Sequence, residues 1–242
     1  MIDLIRNCVH HSDHSTYIER ANDGNPSAIR KSAFTVAGAE DLRRENDGLG
    51  WYCAQQNMPK DIAIIEADIR AKYAKIRLAF HAGDTVKVPI NPDQIISRLD
   101  ALLSHHFEIF GPSDYAMTHG DYSICNHIFD EDRVKWVIDW EHFNNVLPAS
   151  YDAVYAVLEP YLFWIANGHQ PSAKSIIAVQ GMLARICTTL GDKADIPSEP
   201  AMWLRTLVEN NKDVWGAQWA KVPFIAFEES HVRALDKVLR NG

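Results

Sequence analysis

The spacing of apolar positions changes character twice along the chain. Residues 2–36 read as short strands and turns. Within them "STYIERANDGNPSAIRKSAF" holds two extended runs on either side of Asp23-Gly24-Asn25-Pro26, a strong turn signal. "AGAEDLRRENDGLGWYCAQQ" follows with Leu42, Leu49 and Tyr52 at helical spacing, and Gly38 marks the loop before it. "AIIEADI" and "YAKIRLAF" are extended again, and "HAGDTVKVPINP" is a break carrying Gly and Pro. After it, apolar residues recur every three or four positions in "PDQIISRLDALLSHHFEIF", "ASYDAVYAVLEPYLFWIAN", "SAKSIIAVQGMLARICTTL", "EPAMWLRTLVENNKDVWGAQWA" and "AFEESHVRALDKVLR". The expected layout is α+β: a small β-rich lobe with one helix over residues 1–84, a hinge near Phe80–Asp84, and a larger, mostly helical lobe over 85–242.

One stretch of the helical half breaks the helical pattern. "YAMTHGDYSICNHIFDEDRVKWVIDWEHF" reads as loop, apolar strand, polar turn at Asp130-Glu131-Asp132, apolar strand, loop. Such a hairpin is expected to bring Asn126 and Asp139 side by side, with Asp121 close. A carboxylate and an amide oxygen together make a site for a hard cation such as Mg²⁺, with room left for phosphates. A further carboxylate not needed by the metal can take a hydroxyl proton.

Composition narrows the function. Charged residues are 23% of the 242 and the formal net charge is −8, so a general nucleic-acid partner is not expected, because neutralising phosphates takes a basic face. At 47% hydrophobic residues the chain can bury a sizeable core. No run approaches the ~18 apolar residues of a membrane span, and "MIDLIRNCVHH" lacks the long apolar segment of a signal peptide. Cys8, Cys53, Cys125 and Cys187 are scattered and read as reduced thiols of a cytoplasmic protein. His10, His11 and His14 have no metal-site spacing around them and read as a polar strand and loop.

His119-Gly120-Asp121, Asn126 and Asp139-Trp140-Glu141 resemble the signature of the aminoglycoside phosphotransferase and choline kinase family, small-molecule kinases with a two-lobed protein-kinase-like fold. The resemblance implies transfer of the γ-phosphate of ATP to a small-molecule hydroxyl with Mg²⁺. It implies that Asp121 receives the hydroxyl proton, that Asn126 and Asp139 hold the metal, and that His119 braces the loop. Asp152 stands where the family has a carboxylate supporting that loop. The same resemblance makes Lys31, at the end of an apolar strand, the phosphate lysine and Glu45 its helix partner. Arg30 would point to the opposite strand face, and Glu40 is a second acidic choice. The turn that would cover the phosphates has no Gly; Ser12, Ser15 and Thr16 are its candidate contacts, beside Asp13.

The acceptor is left open among a sugar, an aminoglycoside, an amino alcohol and a nucleoside-like molecule. Trp140, Glu141, Tyr155 and Glu159 are the candidates, with Trp203, Trp215 and Trp219 behind them, since aromatics beside carboxylates suit a cationic group or a sugar ring. Three other readings stand beside the small-molecule kinase: a protein kinase, disfavoured because Trp140-Glu141 replaces the Phe-Gly that protein kinases carry, a non-catalytic nucleotide-binding regulator, and a helical interaction module.

Overall fold

The computed structural model describes residues 8–10, 14–111, 117–143, 147–212 and 222–241. It divides into two compact units: Met1–Ala82 with Ile138–Asn144, and Gly83–Val137 with Asn145–Gly242. The sequence suggests one cut near residue 84. The units differ from that division because the chain returns to the first one at 138–144, where Trp140 and Phe143 pack on its helix.

The first unit is a five-stranded antiparallel sheet of order β1-β2-β3-β5-β4, with one helix inserted between β3 and β4. The strands are β1 (Cys8–His10), β2 (His14–Arg20), β3 (Pro26–Ala33), β4 (Ile64–Arg70) and β5 (Tyr73–Ala79). The β2–β3 turn is the one the sequence announces. Asp23 accepts from the Asn25 N–H at 2.9 Å and Gly24 takes φ 82, a value that costs glycine nothing.

Helix α1 (Val36–Gln55) starts two residues before Gly38. Thr35 caps it by accepting the Gly38 N–H at 3.0 Å, so Gly38 belongs to the first turn and not to a preceding loop. Leu42, Glu45, Leu49, Tyr52 and Cys53 form its buried stripe. Gly48 lies on that stripe for a spatial reason. A Cβ there would meet Trp140 Cβ at 2.8 Å and Phe143 Cβ at 3.0 Å.

The second unit holds a three-stranded antiparallel sheet, β6 (Asp84–Thr85), β7 (His127–Asp130) and β8 (Arg133–Val137), and the remaining helices. The β7–β8 hairpin pairs His127 with Val137 and Asp130 with Arg133. Strand β6 is a third partner inside what the sequence shows only as a break. Helices α2 (Ile96–Phe110), α3 (Tyr151–Ala166), α4 (Ala173–Leu190) and α5 (Pro200–Asn210) fall in four of the expected segments, and α2 starts after a separate 3-10 turn at Pro92–Gln94. The fifth segment, from Ala226, holds α7 (Glu229–Asn241), and a single turn, α6 (Pro223–Ala226), leads into it. Helix α3 is buried over most of its circumference, as an element apolar on all sides must be. No described helix is long and apolar enough to cross a membrane.

Candidate functional site

Two groups of polar side chains are gathered by these elements, one in each unit. In the first, strand alternation decides which residues meet. Thr16, Lys31, Ile76 and Ala67 are cross-strand partners and share the face on which α1 packs. Arg30 falls on the other face, where Glu19 accepts from it at 2.6 Å and from Arg77 at 2.8 Å. Ser15 pairs with Ser32 on that outer face, away from Lys31. Ser12 lies outside the described residues, as do Asp13 and His11. Thr16 Oγ1 is buried and has no hydrogen-bond partner among the described residues.

Lys31 is the centre of this group. Its ammonium is buried and lies 2.8 Å from Glu45 Oε2 and 2.8 Å from Asp139 Oδ1. Burial opposes the charge, but Asp139, Glu45 and Glu141 outweigh it and hold the Lys31 pKa above its ordinary value. The lysine therefore stays protonated. Glu40, the other acidic choice, pairs with Arg43 along α1. Asp139 differs from its partners in being 38% exposed at the side chain. Its φ is 65, a left-handed value uncommon for a residue with a Cβ.

Glu141 turns the other way. It is 7% exposed, lies 3.7 Å from His14 Nε2 and 3.7 Å from His142 Nε2, and its carbonyl accepts from Arg44 Nε at 2.7 Å. Burial, reinforced by the Asp139 charge, pushes its carboxyl up to about 9. His14, Arg44 and His142 are absent from the sequence reading of the site. "HSDH" looks like an ordinary polar turn, and no local pattern shows that β2 starts beside residue 141. Trp140 is fully buried against Gly48, Tyr52 and Phe143. It is packing in the first unit, with no face left open for an acceptor.

In the second unit the loop before β7 is held from α3. Asp152, buried at the start of α3, accepts from the His119 N–H at 2.6 Å and the Gly120 N–H at 3.0 Å. Burial lifts its pKa to about 7, against the pull of those two donors. Gly120 has φ 85, and the turn it allows presents Asp121. The Asp121 N–H donates to His119 Nδ1 at 3.3 Å, which puts the proton of a neutral His119 on Nε2. Asn126 Nδ2 donates to Asp121 Oδ2 at 3.0 Å and to its carbonyl at 2.9 Å, leaving Oδ1 as the amide's acceptor atom. Tyr155, buried on α3, has its phenol held well above the ordinary value by burial and by the charges of Asp121 and Glu159. Glu159, one turn further along α3, accepts from Ser123 Oγ at 2.6 Å and from the Ile124 N–H. Trp203 is half-buried on α5; Trp215 and Trp219 lie outside the described residues.

No family model matches the chain, and no curated protein matches it. Among solved structures the chain is similar to a thermostable mutant of an aminoglycoside phosphotransferase, solved as a ternary complex with ADP and hygromycin B. The identity is 11%, the TM-score is 0.46, and 95% of this chain and 92% of that chain are covered. A likeness of that size assigns no residue a role.

Proposed function

We propose that the chain is a small-molecule kinase that moves the γ-phosphoryl group of ATP to a hydroxyl. One observation carries the reading: a buried lysine is held between the helix carboxylate of Glu45 and the half-exposed, left-handed Asp139. A buried ion pair adds little to stability compared with apolar packing of the same volume. A buried lysine between two carboxylates, one of them 38% exposed on a left-handed backbone, is therefore explained better by phosphate and cation chemistry than by folding.

The donor set fits that chemistry. Lys31 supplies a fixed positive charge and Thr16 Oγ1 a buried polar atom on the same strand face. Asp139 in the first unit and Asn126 in the second each carry a hard oxygen of the kind Mg²⁺ takes. When bound, the metal neutralises and orients phosphate oxygens. Asp121 is the carboxylate that accepts the acceptor's proton as the new O–P bond forms and the bond to the departing ADP oxygen breaks. Little covalent help is needed in phosphoryl transfer; alignment and charge neutralisation dominate. A location in the cytoplasm accords with the free thiols of Cys53, Cys125 and Cys187.

The test is a phosphorylation screen over sugars, aminoglycosides and amino alcohols, following ADP release, beside a thermal-shift titration with Mg·ATP. Wild type is expected to bind the nucleotide and to phosphorylate at least one class. Asp121→Asn should keep the nucleotide shift and lose roughly 10²–10⁴ in kcat. Nucleotide binding without transfer would favour the non-catalytic regulator, and absence of any shift would favour the interaction module.

A further inference from the structure

Two carboxylates of α3 grip the loop that carries Asp121 and Asn126. Asp152 takes its start, through the N–H groups of His119 and Gly120 at 2.6 and 3.0 Å. Glu159, at i+7 on the same helix face, takes its far end, through Ser123 Oγ at 2.6 Å. Glu159 is 3% exposed and Ser123 4%. A carboxyl taken out of water carries a high cost, and an apolar pair of like volume would fill the place without it.

The grip of Glu159 reaches Asn126 through Ser123. A serine hydroxyl rotates, with one proton to give and two lone pairs to accept. Giving its proton to Glu159 leaves the Ser123 oxygen to cap the 3-10 turn Ile124–Asn126, where it accepts the Cys125 N–H at 3.1 Å. The Ser123 carbonyl accepts from the Asn126 N–H at 2.9 Å and from His127 Nδ1 at 2.7 Å. Ser123 is therefore tied by its side chain to α3 and by its backbone to Asn126. Asn126 Nδ2 is spent on the Asp121 carbonyl at 2.9 Å and carboxylate at 3.0 Å, and the position of the turn sets where the amide oxygen lies.

We propose that Glu159 is a positioning residue for Asn126: by fixing Ser123 it sets the turn from which the Asn126 amide oxygen meets Mg²⁺. This rests on the kinase reading above, and it gives Glu159 a different task from the acceptor contact expected from the sequence. Groups directly behind a metal ligand typically carry about ten- to a hundredfold in metal affinity. Glu159 acts one residue further back, so the lower end of that range is expected.

The experiment follows the thermal shift given by ATP as Mg²⁺ is titrated, and the ATP affinity in EDTA. It uses the full chain as wild type, Glu159→Ala, Glu159→Gln, Asn126→Ala, and Glu159→Ala with Asn126→Ala. Glu159→Ala should raise the Mg²⁺ midpoint about tenfold and leave the metal-free ATP affinity unchanged. Glu159→Gln keeps an acceptor for Ser123 and should hold the midpoint near that of wild type. In the Asn126→Ala background, Glu159→Ala should move the midpoint no further. Should Glu159→Ala fail to fold, Ser123→Ala cuts the same bond by removing one oxygen, and the same rise is expected of it. An unchanged midpoint, or a further rise in the double variant, overturns the proposal. So does a metal-free affinity that falls along with the Mg²⁺ response, because a merely structural role weakens both. A wild type that gives no shift with ATP at any Mg²⁺ concentration sinks the kinase reading and this proposal together; a wild-type shift that Glu159 does not influence sinks the proposal alone.

Discussion

Replacing Glu159 with glutamine is expected to alter the pH dependence of stability more than stability at any single pH. Glu159 is 3% exposed and fixed by Ser123 Oγ at 2.6 Å. Burial, reinforced by the charge of Asp121, raises its carboxyl from 4.5 to about 8 despite its two donors. Between those values the unfolded chain releases the proton and the folded chain keeps it. The stabilisation is thus complete below the unfolded pKa and is lost as pH rises through the folded one. The slope is at most ~1.36 kcal/mol per pH unit, so wild type should lose up to ~3 kcal/mol between about pH 5.5 and about pH 7.5 from this group. Relaxation around a buried charge trims that to on the order of 2 kcal/mol. For a chain of this size that corresponds to roughly 4–8 °C in Tm. Glutamine keeps an oxygen for both donors and does not titrate. Scanning calorimetry of both proteins across that range should show the variant's Tm gaining on wild type as pH rises. A difference that stays flat, or that grows toward acid, refutes a proton held on buried Glu159.

Three further outcomes can be checked directly. Lys31→Ala leaves Glu45 and Asp139 facing each other and should weaken Mg·ATP binding sharply. By calorimetry its stability cost, ~3–5 kcal/mol for a broken buried pair, should shrink in a Glu45→Ala background. Gly48→Ala drives a methyl into Trp140 and Phe143 and should cost about 1–3 kcal/mol in chemical denaturation; a neutral result would mean that the 138–144 segment shifts freely. Asp152→Asn strips an acceptor from the His119 or Gly120 N–H and should cost ~1–3 kcal/mol. Because that loop presents Asp121, kcat should fall with it while nucleotide binding, read by thermal shift, survives.

How far the site could be read from the sequence depended on how local its causes are. Lys31 and Glu45 are paired in the sequence through the family resemblance, and the structure brings them to 2.8 Å because a strand end and a helix stripe share one face. Asp121, Asn126 and Asp139 stand out as polar residues at the ends of apolar runs. The β2–β3 turn and the β7–β8 hairpin are likewise written in adjacent residues. The environment of Glu141 was not legible, because His14 and Arg44 reach it from distant parts of the chain. Gly48 reads as a helix weakener until Trp140 is seen lying on it. Trp140 reads as a pocket aromatic because pattern reports apolar bulk, not what covers it. Gly38 misled by its type: a glycine next to a helix usually marks its edge, but here the threonine three residues earlier does the capping.

The return of residues 138–144 to the first unit has a consequence for the order in which the protein is made. Lys31 and Asp139 are 108 positions apart, and a ribosome adds ~5–20 residues per second. For roughly 5–20 seconds, therefore, the emerging sheet and α1 carry a lysine with one of its two carboxylates, and a groove at Gly48 with no tryptophan in it. A chain arrested at residue 82 is expected to expose Trp51 and Tyr52 and to bind hydrophobic dyes or holdase chaperones. Adding a peptide of residues 138–144 in trans should reduce that binding. If the 1–82 fragment is already compact and inert, the late segment completes the chemistry of this unit without completing its fold.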